Sequence, residues 1–258
     1  MTYQTPASTF KRLIFAFYYS ENDEIKKYNE IHFRLLERYI NIFDEVIFCI
    51  TIDDVNDYKS INEMQKRIIS FRNGNITFKI YENTNYRETN VFYNEIFLKM
   101  EKLYGITFFA HSKGKGVLES IEEVVGFITA SYFFSLENIE RINEYPFYGS
   151  LKMINNSPMS RKGNKYMWFY VGTFFWGDYQ RIYRENKGKF PNFSTRWFNE
   201  MFPGELYDTS RCGSLYDCFC DATIKPTGPF ELIYRTYGNI DLYDKYCELY
   251  YEIINNFV

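Results

Sequence analysis

Apolar positions along the chain follow two rhythms that alternate with each other. Arg12 to Ser20, RLIFAFYYS, is a near-continuous apolar run of strand length, the pattern of a parallel strand covered on both faces. Glu21-Asn22-Asp23 then offers a helix cap, and Ile25, Tyr28, Ile31, Leu35, Leu36 and Tyr39 recur at spacings of three and four, predicting a helix with one apolar stripe. Glu45 to Ile52, EVIFCITI, predicts a second strand that ends in Asp53-Asp54. Tyr58 to Phe71 predicts a helix closed by Asn73-Gly74, and Ile76 to Tyr81 a third strand. An amphipathic helix over Asn90 to Leu103 feeds the fourth strand, Ile106 to Ala110. This alternation predicts an α/β fold with a Rossmann-type, mostly parallel sheet, flanking helices and right-handed crossovers. The second half is less regular. It predicts a helix over Ile121 to Ile142, strands at Tyr148 to Ile154 and Trp168 to Trp176, a turn-rich stretch from Pro191 to Pro229 and a packed helix from Leu242 to Val258.

Composition narrows the classes. A net charge of −3 and a pI near 5.6 give no global pull toward nucleic acid, so any basic function has to be local. Cys49, Cys212, Cys218, Cys220 and Cys247 are odd in number and scattered, indicating neither a disulfide framework nor a zinc site and favouring a reducing cytoplasm. The opening residues lack a secretory pattern, and no apolar run reaches about 18 residues, so neither secretion nor a membrane span is expected. Peripheral association with the inner face of a membrane stays open. Aromatic residues make up 21% of the chain, enough to line a sugar-binding cleft, though most are expected to fill the core.

The stretch ITFFAHSKGKG, Ile106 to Gly116, changes the picture most. A buried strand stops at a turn carrying His111, Ser112, Lys113, Lys115 and two glycines. Ligands collect at the carboxyl ends of parallel strands, which makes this turn a candidate site for a phosphate or diphosphate; the alternative is a surface loop with solvated lysines.

Taken with the later strand VGTFFWGDY and the segment RWFNEMFPGELY, the turn AHSKGKG resembles a group of bacterial polysaccharide-type glycosyltransferases of the GT-A fold. That group carries an H-[ST]-K-G turn, a G-N-F-W-W-like strand and an E-x-W-x-G-like segment in the same order. The resemblance implies one GT-A-like domain over 1–258, with a nucleotide-binding half over 1–118 and an irregular, acceptor-side half over 119–258. It implies transfer of a sugar from a nucleoside-diphosphate sugar to a hydroxyl of a glycan or lipid-linked glycan. The donor-side candidates are Phe17, with Tyr18 and Tyr19, to stack on the base; Asp53 or Asp54 to hold base or ribose; Arg87 and Asn90; and His111, Ser112, Lys113 and Lys115 at the diphosphate. Trp176, Asp178, Trp197 and Glu205 are the sugar- and acceptor-side candidates. Glu200, matching the glutamate of the E-x-W-x-G-like segment, is the candidate base for the acceptor hydroxyl, with Glu205 as substitute.

The sequence departs from the wider GT-A pattern where D-x-D would hold a divalent metal, because His111-Ser112-Lys113 stands there. Hard cations need oxygen ligands, whereas ammonium groups and backbone amides neutralise a diphosphate without one. The expectation is therefore no metal ligands and no required cofactor, with Mg²⁺ or Mn²⁺ as an optional aid and His111 as its one alternative ligand. The competing readings are a nucleotidyltransferase, which would want acidic metal ligands, and a non-catalytic nucleotide- or glycan-binding module on the same fold.

Overall fold

The computed structural model describes residues 10–72, 74–85, 87–112, 120–137, 139–154, 168–170, 173–192, 198–219 and 240–257. Strands β1 (Lys11–Tyr19), β2 (Glu45–Ile52), β3 (Ile76–Glu82) and β4 (Ile106–His111) run parallel, with β1 between β2 and β4 and β3 outside β2. Three helices connect them: α1 (Asp23–Tyr39), α2 (Tyr58–Ser70) and α3 (Glu88–Glu95). Beyond α4 (Ile121–Leu136), the chain adds β5 (Phe147–Ile154), β6 (Trp168–Tyr170) and β7 (Phe175–Gly177), then helices α5 (Tyr179–Glu185) and α6 (Phe198–Leu206), strand β8 (Gly213–Phe219) and helix α7 (Ile240–Ile254).

All eight strands join one sheet. β7 is inserted antiparallel between β4 and β5, and the first residues of β5 pair with β7 while its last pair with β6. β8 runs parallel along the other edge of β5. The sheet is thus mostly parallel with helices on both faces, as the alternating apolar pattern predicts.

Strand alternation divides the core. Leu13, Phe15 and Phe17 of β1 point to the face covered by α1, α2, α4 and α7, whereas Ile14 and Ala16 point to the face covered by α3, α5 and α6. The helices begin where their caps dictate. Asn22 accepts from the backbone N–H groups of Glu24 (3.0 Å) and Ile25 (3.2 Å), and Ser120 and Glu123 form a reciprocal capping box at α4. At the amino end of the sheet Arg12, 4% exposed, pairs with Glu45 and donates to the Tyr104 carbonyl at 3.2 Å, tying β1 to β2 and to the chain entering β4.

Several predicted boundaries are corrected. The Asn90–Leu103 helix is α3 only to Glu95; Ile96, at φ −115° and ψ −64°, turns the chain into a 3₁₀ segment, Phe97–Lys102. Likewise α4 stops at Leu136, and a separate 3₁₀ segment covers Ile139–Glu144. The single strand expected over Trp168–Trp176 is two strands, β6 and β7, pairing with different parts of β5. Within the stretch read as turns lie α6, which carries Pro203 inside it, and β8.

Candidate functional site

The carboxyl ends of β1, β2, β3 and β4 meet along one rim of the sheet, and a polar group stands at each. After β2, the exposed Asp53 accepts the Tyr18 hydroxyl on Oδ2 (2.8 Å) and the Asn83 side-chain amide on Oδ1 (2.7 Å). One carboxylate therefore links the ends of three neighbouring strands. Burial, then the Asp53 carboxylate, push the Tyr18 phenol above its ordinary value, which keeps it a hydroxyl donor at neutral pH. Asn29 of α1 holds the Tyr18 carbonyl at 3.1 Å.

On the other side of β1, Ser112 donates its N–H to the Ala16 carbonyl (2.9 Å) and accepts the Tyr18 N–H on Oγ (2.7 Å). His111, 6% exposed, closes β4 with its ring 5.9 Å from that of Phe174. Lys113, Lys115 and Trp197 lie outside the described residues.

A buried polar chain lies where α3 and α6 meet the residues leading into β7. Thr173, just before β7, is fully buried and has φ 58°, a left-handed conformation that costs a β-branched residue of order 1–3 kcal/mol. Its hydroxyl accepts the Asn199 amide (3.1 Å) and lies 3.2 Å from Glu200 Oε1. Thr89 in the first turn of α3 donates to Asn199 Oδ1. Glu200 is 4% exposed. The sequence singles out Glu200 but not Thr89, Thr173 or Asn199; Asn199 adjoins Glu200 and Thr173 lies within GTFFWGD, but nothing local ties these residues to one another.

Other sequence candidates are placed elsewhere. Phe17 is fully buried against Phe33 (ring centroids 4.9 Å apart) and Phe48 (5.3 Å), so it is core and has no face for a base. Trp176 is also fully buried; its indole N–H donates to the Ser135 carbonyl at 2.7 Å, and its ring packs against Phe108 and Phe43, leaving none of it for a sugar. Asp178 follows Gly177, which pairs with Thr107 at the start of β4, so it belongs to the amino end of the sheet, opposite the rim. There it caps α5 through the Arg181 N–H (3.0 Å), and burial raises its carboxyl above the ordinary value.

Asp54 is committed to a local turn, accepting the Asn56 N–H at 2.9 Å. Arg87 is exposed at φ 48° beside the rim, and the Asn90 side-chain oxygen is taken by Asn94 within α3. Glu205 is half-buried at the far end of α6 from Glu200.

A second buried acid was not anticipated. The Glu95 side chain, 4% exposed, is held by Lys79 (2.5 Å), Lys99 (2.8 Å) and the Tyr81 hydroxyl. Burial pushes its carboxyl up, but the hydrogen bonds from Lys79, Lys99 and Tyr81 outweigh this and hold it below the ordinary carboxylate range. Lysines on a strand and a 3₁₀ turn closing on one helical glutamate leave no local sequence pattern.

The described residues do not fit a hard divalent cation at the end of β4. That position offers an imidazole and a hydroxyl, the hydroxyl is used by Tyr18, and the Asp53 carboxylate is bridged by Tyr18 and Asn83. Among the described residues no three His, Cys, Asp or Glu side chains come together to hold a metal, and no helix is long and apolar enough to cross a membrane.

No protein-family model matches the chain, and no characterised protein matches it by sequence. Solved structures similar to it include three glycosyltransferase-fold examples with low TM-scores. The mannosyltransferase Ktr4p from S. cerevisiae has 11% identity over 82% of this chain and 70% of its own, with TM-score 0.37. For S. aureus TarS 1-349 the identity is 10% over 81% and 60%, with TM-score 0.35. The Mn/GDP form of core-mannan synthase A from Aspergillus fumigatus has 10% identity over 81% and 68%, with TM-score 0.33.

Proposed function

We propose that the chain is a glycosyltransferase that moves a sugar from a nucleoside-diphosphate donor to a hydroxyl of a glycan or lipid-linked glycan acceptor. The observation that carries the reading is the rim itself. A carboxylate, Asp53, is fixed at the end of β2, and a buried carboxylate, Glu200, contacts Thr173, two residues before the Phe175 that pairs with Phe109 near the end of β4. Asp53, oriented by Tyr18 and Asn83, takes the hydrogen-bond donors of the base or ribose. Lys113, Lys115 and the amides of their turn neutralise the departing diphosphate, and Glu200 removes the acceptor proton. No step is routed through a metal. The acceptor serves surface-polysaccharide synthesis, worked on from the cytoplasmic face of a membrane.

A non-catalytic nucleotide-binding module is the second reading, favoured by the imidazole and hydroxyl standing where the wider GT-A pattern places D-x-D. One experiment separates them. UDP, GDP, dTDP and CMP sugars are screened for a rise in melting temperature and for release of nucleotide, with and without Mn²⁺. The proposal expects one donor to stabilise the chain, Asp53→Ala to abolish that effect, and Glu200→Gln to leave it intact while stopping transfer. Binding without turnover under every condition would support the module, and no stabilisation by any nucleotide would overturn both.

A further inference from the structure

We propose that Thr89, Asn199 and Thr173 form a one-way hydrogen-bond chain that aims the Glu200 carboxylate, with Thr173 as the positioning residue. The inference rests on the reading of Glu200 as the base and adds to it the device that sets its orientation.

Chemistry fixes the direction of the chain. An amide nitrogen only donates and an amide oxygen only accepts. Asn199 Nδ2 donates to Thr173 Oγ1 at 3.1 Å, so the single proton of the Thr173 hydroxyl is left for Glu200 Oε1, 3.2 Å away. At the other end Asn199 Oδ1 faces Thr89 Oγ1, which must then be the donor. Every link points toward Glu200, and each donated proton favours the ionised carboxylate that a base requires.

Placement argues the same way. Thr89, Thr173 and Asn199 are each fully buried and Glu200 is 4% exposed, so water does not compete for these bonds. The links come from three segments, α3, the residues just before β7 and α6, and Thr173 lies two residues before the Phe175 that pairs with Phe109 of β4. Thr173 also holds a left-handed backbone at φ 58°, unusual for a β-branched residue. Strain of this kind gathers where geometry is functional. Here it brings one hydroxyl between Asn199 and Glu200.

The test uses the full chain and two independent readouts. First, the Asn199 side-chain amide is followed by ¹⁵N NMR from pH 7 to pH 3, assigned by its absence in Asn199→Asp. The chain predicts that its shift follows the Glu200 carboxylate: the response disappears in Glu200→Gln and in Thr173→Val, and persists in Thr173→Ser. An amide indifferent to pH in the unmodified protein, or equally responsive in Thr173→Val, overturns the proposal.

Second, transfer from whichever of the screened nucleotide sugars is turned over should fall about tenfold in kcat at unchanged donor KM in Thr173→Val and recover in Thr173→Ser. Loss in KM alone, or no rescue by serine, would reduce Thr173 to a packing role and overturn the proposal. An amide that behaves as expected in a protein whose Glu200→Gln variant keeps full transfer would instead sink Glu200 as the base while leaving the hydrogen-bond chain standing.

Discussion

Phe92 offers the sharpest test of how the helices on the site side of the sheet are held. It is fully buried on α3, with the rings of Phe109 and Phe202 meeting it edge-on at 5.2 and 5.5 Å and those of Phe175, Tyr179 and Phe198 within 6.4 Å. These partners belong to β4, β7, α5 and α6, so one side chain ties four elements to α3. Phe→Ala in a core costs about 3–5 kcal/mol. The upper half of that range is expected, because edge-to-face pairs add ~0.5–1.5 kcal/mol beyond the area they bury and five rings cannot all move into the vacated space. Against a total stability of roughly 5–15 kcal/mol this is a large fraction. Urea unfolding followed by circular dichroism should show the midpoint falling by about 1–2 M in Phe92→Ala. Phe92→Leu, which keeps most of the volume, should lose less than half as much. Tyr58→Ala, at a site 67% exposed, should stay within ~0.5 kcal/mol. If Phe92→Ala cost no more than Tyr58→Ala, or Leu no less than Ala, the account of this core would fail.

Three further outcomes follow from the structure. Glu95 has a folded-state value below its unfolded one, so it contributes stability above the ordinary carboxylate range that drains away as pH falls through the folded value. Glu95→Gln should cost about 1–3 kcal/mol at pH 7, less than the ~3–5 kcal/mol of a fully buried broken pair because Lys79 and Lys99 are 32% and 42% exposed and can rehydrate. It should also flatten the fall in urea midpoint between pH 5 and pH 3, and parallel curves for the two proteins would refute the assignment. Gly105→Ala places a Cβ 2.5 Å from the Phe10 carbonyl oxygen at φ 79° and should cost more than ~1 kcal/mol, whereas at Gly74 the nearest atoms to the new methyl are those of the Arg72 side chain, at 2.7 Å and beyond, which can shift at a smaller cost. Thermal unfolding of the two variants ranks them directly. The Tyr179 hydroxyl is buried without a hydrogen-bond partner among the described residues, so Tyr179→Phe should leave the melting temperature unchanged or raise it.

Much of the first half is legible in the sequence because a strand buried on both faces is apolar throughout. β1, β2 and β4 are such runs, and Asn22 announces α1 through its own side chain. The second half resists because its strands are short and its neighbours distant. β6 and β7 are three residues each, separated by four residues without a proline, and Pro203 and Gly204 within α6 imitate a loop. The same limit governs the site. Asp53 and Ser112 are readable because each follows a recognisable strand. Phe17 and Trp176 read as ligand contacts because an aromatic residue near a strand end looks alike in sequence whether its ring meets solvent or helices. Asn83, Thr89 and Thr173 acquire meaning only when segments far apart in the chain are brought to one rim.

The antiparallel insertion of β7 has a mechanical consequence. Among the described residues, the backbone ladder that joins the four parallel strands to the strands that follow them is three residue pairs long, Thr107–Gly177, Phe108–Trp176 and Phe109–Phe175. A ladder so short resists torsion less than the eight-pair ladder between β1 and β2. The seam between β4 and β7 is therefore a part of the sheet where few backbone hydrogen bonds oppose twisting, and Thr173 lies two residues before it.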